Sequence, residues 1–217
     1  MLSNNIYTYW EGQEPDYIKM CYESLTKYCS ENFKISRYSD YQNPIKFNSI
    51  NHKTDWLKAN LIYENGGFWI DADMIVMKDL SPLIKLVEKN GFAGIPGFFG
   101  AKKGNKVLGN WIDGMRDIIT KQDTKIGHSD MIKPLLQHKR FKEFDIFTRE
   151  MICPIYHTGD EFGNFFKDLP LDKFVTNNTY IVTLYNSAFN KDFKNMSRED
   201  ILTSPWLISK MFKKVLE

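Results

Sequence analysis

The sequence predicts an α/β fold, a single domain with a mixed, mainly parallel central sheet flanked by helices, and three observations carry that prediction. The chain opens as strand, helix, strand. A helix stopped by a glycine pair then leads into a new strand. That strand, Phe68-Trp69-Ile70, is apolar at every position, as expected where layers cover both faces of a sheet.

In order, Asn5–Tyr9 reads as the first strand, and Trp10 to Pro15 as a glycine- and proline-bearing loop. Ile18, Cys21, Tyr22, Leu25 and Cys29 recur at helical spacing over Asp16–Cys29. Phe33–Arg37 is the second strand and ends in Tyr38-Ser39-Asp40. Ligands of open α/β sheets bind beyond the carboxyl ends of the strands, which puts Trp10 and Asp40 at the functional edge. Residues Tyr41 to Lys53 are polar and irregular, with Pro44 breaking any helix and His52 as a solvated loop residue. Thr54 caps the next helix, Leu57, Leu61 and Ile62 share its apolar face, and Gly66-Gly67 ends it.

Beyond Asp73, Ile75-Val76-Met77 is a buried strand, and Ser81-Pro82 starts a helix to about Lys89. Phe92–Ile95 is a further strand. Pro96, Gly97 and Gly100 mark an irregular region whose Phe98 and Phe99 serve either a ligand or the core. Val107, Leu108, Trp111, Ile112, Met115, Ile118 and Ile119 form one face of a scaffold helix. Gly127-His128-Ser129-Asp130 precedes a short helix over Met131–Gln137, and His157-Thr158-Gly159-Asp160 is a polar turn. Tyr180–Leu184 is a late strand and Pro205–Leu216 a last helix carrying Lys210, Lys213 and Lys214, either a solvated face or a contact for anionic lipid.

Composition narrows the functional classes. At 217 residues the chain is long enough to bury a sizeable core. A net charge of +2 gives no strongly basic face for nucleic acid. No stretch is apolar enough to span a bilayer, and the opening MLSNNIYTYW lacks a signal-peptide layout, so a cytoplasmic location is expected. Cys21, Cys29 and Cys153 make neither a disulfide framework nor a metal cluster, and buried reduced thiols are the expectation.

The chemistry concentrates at Asp71-Ala72-Asp73. Alternation along an extended chain points Asp71 and Asp73 the same way. Paired carboxylates repel unless a cation lies between them, and their hard oxygens suit Mg²⁺ or Mn²⁺. Magnesium commonly binds through one or two carboxylates plus substrate phosphates, so a metal-bridged diphosphate is the matching ligand.

The pattern D-x-x-K-x-x-L-x-x-x-x-G-G-x-W-x-D-x-D, from Asp55 to Asp73, resembles the donor-binding signature of DxD glycosyltransferases with the GT-A fold. The likeness is to the group of capsular polysaccharide synthesis proteins, Och1-type mannosyltransferases and glucosylating clostridial toxins. The segment Y-W-E-G-x-x-P-x-x-I-x-x-C-x-x-S, from Tyr9 to Ser24, resembles the start of the capsular group. The resemblance implies a nucleotide-binding part over about residues 1–80 and an acceptor-side part over about 90–217. It implies donor contacts from Tyr9, Trp10, Asp40, Asp55, Lys58, Trp69 and Asp71, with Trp10 against the nucleotide base, and the metal on Asp71 and Asp73. Lys58 stands where the family has arginine, keeping the charge but losing the bidentate fork. Read without the family, Trp10 is a core ring and Asp55–Lys58 a surface ion pair.

Asp130 is a candidate for substrate binding beside its simpler reading as a helix cap. Thr183 falls where histidine is typical, so Asn186 or Ser187 is expected to complete the metal site through an amide or hydroxyl oxygen. The implied activity is metal-dependent transfer of a hexose from a nucleotide diphosphate sugar, of the UDP-hexose class, to a glycan acceptor with retention, aided by Asp71, Asp73 and Lys58. The rival readings are a metal-dependent nucleotidyltransferase or nucleotide-sugar pyrophosphatase, and a sugar-binding domain without activity.

Overall fold

The computed structural model describes residues 2–42, 45–47, 49–120, 126–127, 129–138 and 146–217. Pro44 and His128 lie outside the described residues. The chain forms two compact units, each assembled from separated stretches of sequence. One takes the residues up to Trp10, Lys34–Ile70 and Pro82–Phe147; the other takes Glu11–Phe33, Asp71–Ser81 and Thr148–Glu217.

The first unit carries a five-stranded mixed sheet built from β1 (Asn5–Tyr9), β2 (Lys34–Tyr38), β3 (Gly67–Ile70), β5 (Phe92–Ile95) and β6 (Phe98–Ala101), in the order β2-β1-β3-β6-β5. β1 pairs in parallel with β2 and β3, while β6 runs antiparallel to β3 and β5. The order turns about β1, so the carboxyl ends of β1 and β3 mark the switch point where open α/β sheets bind ligands. Trp10 follows β1 there, its N–H bonded to the Tyr38 carbonyl at 3.0 Å.

Helices α2 (Ile50–Asn65) and α4 (Lys106–Thr120) pack together, and α2 covers β1, β3 and β6. Trp69 joins Trp56, Leu57, Phe99, Trp111 and Met115 in the core on that side. Alternation sends Phe68 to the opposite face, where it stacks on Phe98 with centroids 5.9 Å apart. Both faces of β3 are therefore covered, as its unbroken apolar run predicts.

The expected irregular stretch after Phe92–Ile95 is instead a hairpin. Pro96-Gly97 forms the turn, β6 returns on β5, and Phe98 and Phe99 are fully buried core rings. The glycine stop is as read: Gly66, at φ 68°, ends α2, and Gly67, at φ 106°, opens β3. A Cβ on Gly67 would lie 2.5 Å from the Asn5 carbonyl oxygen, so this position admits only glycine.

The second unit holds α1 (Asp16–Cys29), an antiparallel pair of β4 (Met74–Val76) with β7 (Ile181–Thr183), and α9 (Leu207–Leu216). α1 and α9 pack on β4 and on each other. Around them, Tyr17, Phe162, Phe165, Phe166, Phe189, Phe193 and Trp206 form an interlocked aromatic core. The apolar face of α9 is buried in this unit, and Lys210 is tied to Asp168 and to the Leu169 carbonyl. All three cysteines are free and buried, as expected. No helix of the described residues is long and apolar enough to cross a membrane.

Candidate functional site

In the first unit α2 supplies the polar side chains. The helix starts earlier than its sequence suggests: Ser49 is the cap, accepting the His52 N–H at 3.3 Å, and Thr54 sits inside, its hydroxyl donating to the Ile50 carbonyl at 2.8 Å. This corrects His52 as well. The residue is 2% exposed and its Nε2–H donates to the Gly127 carbonyl at 3.0 Å, so it is a buried helical residue.

One turn on, Lys58 Nζ meets Asp55 Oδ1 at 2.7 Å, with the two residues only 4% and 8% exposed. The surface ion-pair reading therefore fails on burial. Two charges withdrawn from water lose hydration that their mutual attraction offsets only with close geometry, so the pair is weak evidence of a stability device.

The remaining candidates of this unit fall in different settings. Trp10 is partly exposed and Asp40 exposed. Tyr9, 5% exposed, belongs to the core and has Lys53 Nζ 5.8 Å from its ring centroid. Trp69 is wholly buried, so its ring serves packing rather than a ligand surface. Asp130 accepts the Gly127 N–H at 2.6 Å and pairs with Lys133, closing its own loop. The Lys133 contact, then the Gly127 N–H, holds its carboxyl below the usual range. The helix expected after it is a 3₁₀ turn, Asp130–Ile132, continued by the single turn α5 (Lys133–Leu136).

The two acids of Asp71-Ala72-Asp73 belong to the second unit. They do not lie in extended chain: β3 ends at Ile70, Ala72 and Asp73 form a turn, and β4 begins at Met74. The expected alternation therefore does not set their directions. The turn's geometry comes from far along the chain. The Leu184 N–H donates to the Asp73 carbonyl at 2.9 Å, and the Asn186 N–H donates to Asp73 Oδ2 at 2.6 Å.

The late segment thus reaches Asp73, and it does so through a backbone N–H. The Asn186 side-chain oxygen accepts the Tyr17 hydroxyl, Ser187 is exposed, and Thr183 Oγ1 is spent on the Ile152 carbonyl at 2.9 Å. Burial raises the Tyr17 and Cys21 pKa values, and the neighbouring Asp73 carboxylate raises both further.

Two side-chain roles here escaped sequence reasoning, although Ser24 closes the motif that begins at Tyr9. Tyr17 braces Asn186, and Ser24 Oγ accepts the Val76 N–H at 2.9 Å, fixing β4 to α1. Tyr17, Cys21 and Ser24 recur at i, i+4, i+7, the available signal that one α1 face turns to the acids' unit core.

The donor set suits a hard divalent cation: partly exposed carboxylates, one of them oriented by a backbone N–H, with amide and hydroxyl oxygens in the adjoining turn. Among the described residues no group of three His, Cys, Asp or Glu gathers to hold a metal.

No family model matches the chain, and no curated protein sequence matches it. Solved structures do. The apo-form glycosyltransferase GlyE of Streptococcus pneumoniae TIGR4 matches with TM-score 0.57 and 14% identity, over 100% of this chain and 61% of that chain. A second GlyE structure gives TM-score 0.52 and 15% identity over the same shares, 100% and 61%. A glycosyltransferase involved in the glycosylation of the major capsid of PBCV-1 gives TM-score 0.50 and 12% identity, over 88% of this chain and 96% of that chain. The chain spans 61% of the pneumococcal protein's length, and at such identities the likeness is one of fold. The chain therefore has an α/β fold shared with solved glycosyltransferases.

Proposed function

We propose that the protein is a metal-dependent glycosyltransferase that moves a hexose from a nucleotide diphosphate sugar, of the UDP-hexose class, to a glycan acceptor with retention of configuration. The observation that supports this reading most is the Asp71-Ala72-Asp73 turn directly after a doubly covered strand, with Asp73 oriented by the Asn186 N–H at 2.6 Å. Asp71 and Asp73 would hold Mn²⁺ or Mg²⁺. Such an ion, when bound, offsets the negative charge that grows on the departing diphosphate.

The chain's own residues do the positioning. Asn186 and Tyr17 fix the Asp73 carboxylate, and Ser24 fixes the strand that follows it. In the sheet-bearing unit, Asp55 and Lys58 are the residues proposed to engage the donor's sugar hydroxyls and diphosphate, Lys58 as a point charge. No second nucleophile is assigned, so the acceptor hydroxyl attacks on the face the nucleotide leaves.

Melting in UDP plus Mn²⁺ tests the reading. At about 100 times Kd a ligand of the native state adds roughly 2.7 kcal/mol of stability. The wild-type protein should show that rise and Asp73→Ala should not. Incubation with UDP-hexoses should release UDP and sugar, or transferred sugar. Release of UMP and sugar phosphate would make the protein a pyrophosphatase instead.

A further inference from the structure

The second unit carries an aromatic group that the donor chemistry leaves unused. The rings of Tyr156 and His157 lie 4.6 Å apart, and His157 and Tyr185 4.8 Å apart. Tyr185 meets Tyr156 edge-on at 6.2 Å and 77°. Tyr156 is 43% exposed and His157 is exposed. Single apolar rings on a surface need no explanation, but rings held against one another form a preformed platform.

Its posture is fixed from several sides. The Arg149 guanidinium lies 5.7 Å from the Tyr156 ring centroid and pairs with Glu161, whose Oε2 also accepts the Tyr156 N–H at 3.1 Å. The Tyr185 hydroxyl contacts Cys153 Sγ. Among the described residues Tyr185 is the sole non-glycine with positive φ, at 58°. Such a conformation costs on the order of 1–3 kcal/mol and persists only where its surroundings impose it. The next residue, Asn186, holds Asp73. One strained step of backbone thus joins the platform to the acid.

A pyranose ring presents a face of C–H groups bordered by hydroxyls. The platform presents aromatic faces bordered by an imidazole, a carboxylate and a guanidinium, the mix of apolar lining and few polar groups by which small ligands are oriented. A nucleotide base would also stack on aromatics. Glu161 is paired with Arg149, so the border of the rings offers no net positive charge to hold a nucleotide's phosphates.

We infer that Tyr156, His157 and Tyr185 form the seat of the acceptor sugar, with the pyranose stacked on Tyr156 and His157 and its hydroxyls bonded to Glu161 and the imidazole. The sugar's role as acceptor rests on the proposed glycosyl transfer, whereas its binding does not.

Saturation-transfer NMR with the methyl α-glycosides of glucose, galactose and mannose tests the seat directly. At least one glycoside should receive saturation on its ring C–H protons from the wild-type protein. That signal should fall about fivefold in Tyr156→Ala and persist in Tyr156→Trp, as the loss and retention of one stacking contact require. His157→Ala repeats the test from the second ring. Silence from all three glycosides, or an undiminished signal in both alanine variants, would overturn the inference. Binding of UDP with Mn²⁺ to the wild-type protein is measured alongside and bears on the donor reading alone.

Discussion

The Asp55–Lys58 pair and the Asp73 turn hold their carboxylates by opposite means. The pair is closed within a single helical turn, at 2.7 Å and i, i+3 spacing. Asp73 is gripped by an N–H from 113 residues further along the chain. A local bond forms whenever its helix forms. A distant one exists only once the second unit is complete, so the orientation of Asp73 reports on the whole unit and that of Asp55 on α2 alone.

Removing one member of the buried pair gives the largest effect. Lys58→Ala leaves Asp55 as an uncompensated charge, and unfolding in urea should show a loss of about 3 kcal/mol. A double change, Asp55→Leu with Lys58→Met, should recover most of it, because the apolar pair carries no desolvation cost. Failure of the double variant to recover would mean that the pair supports the helix in some other way.

The long-range arrangement is probed next. Ser24→Ala strips the buried Val76 N–H of its acceptor, and an unsatisfied buried donor costs roughly 1–3 kcal/mol. Hydrogen exchange should show β4 and the Asp73 turn loosened in that variant and α2 unchanged, which separates the two regions experimentally. The smallest effect belongs to Lys133→Ala. Its bond to Asp130 has the same i, i+3 spacing as Lys58 to Asp55 but lies in solvent, where such pairs contribute little. Its denaturation midpoint should not move measurably at neutral pH. The Asp130 carboxyl is held low, so whatever the bond contributes is present above the ordinary carboxylate range and disappears as pH falls through the lowered value.

Local pattern explains what the sequence disclosed. The apolar run of β3, its glycine stop and the one-sided face of α4 each depend on neighbours within a few residues, and each is where its pattern puts it. The β5–β6 hairpin was missed, although a Pro-Gly pair between two apolar runs is a turn signal. The burial of His52 was not legible, because the carbonyl that receives its ring N–H lies 75 residues away. The direction of Asp73 was hidden for the same reason. Alternation holds only while a strand continues, and β3 stops one residue before the first acid.

The interleaving of segments has a consequence during synthesis. β4 leaves the ribosome long before β7, its antiparallel partner, so the second unit waits with one edge of β4 unfilled and the aromatic face of α1 uncovered. Nascent chains halted ahead of Ile181 should accordingly bind holdase chaperones, and those extended past Leu216 should let them go.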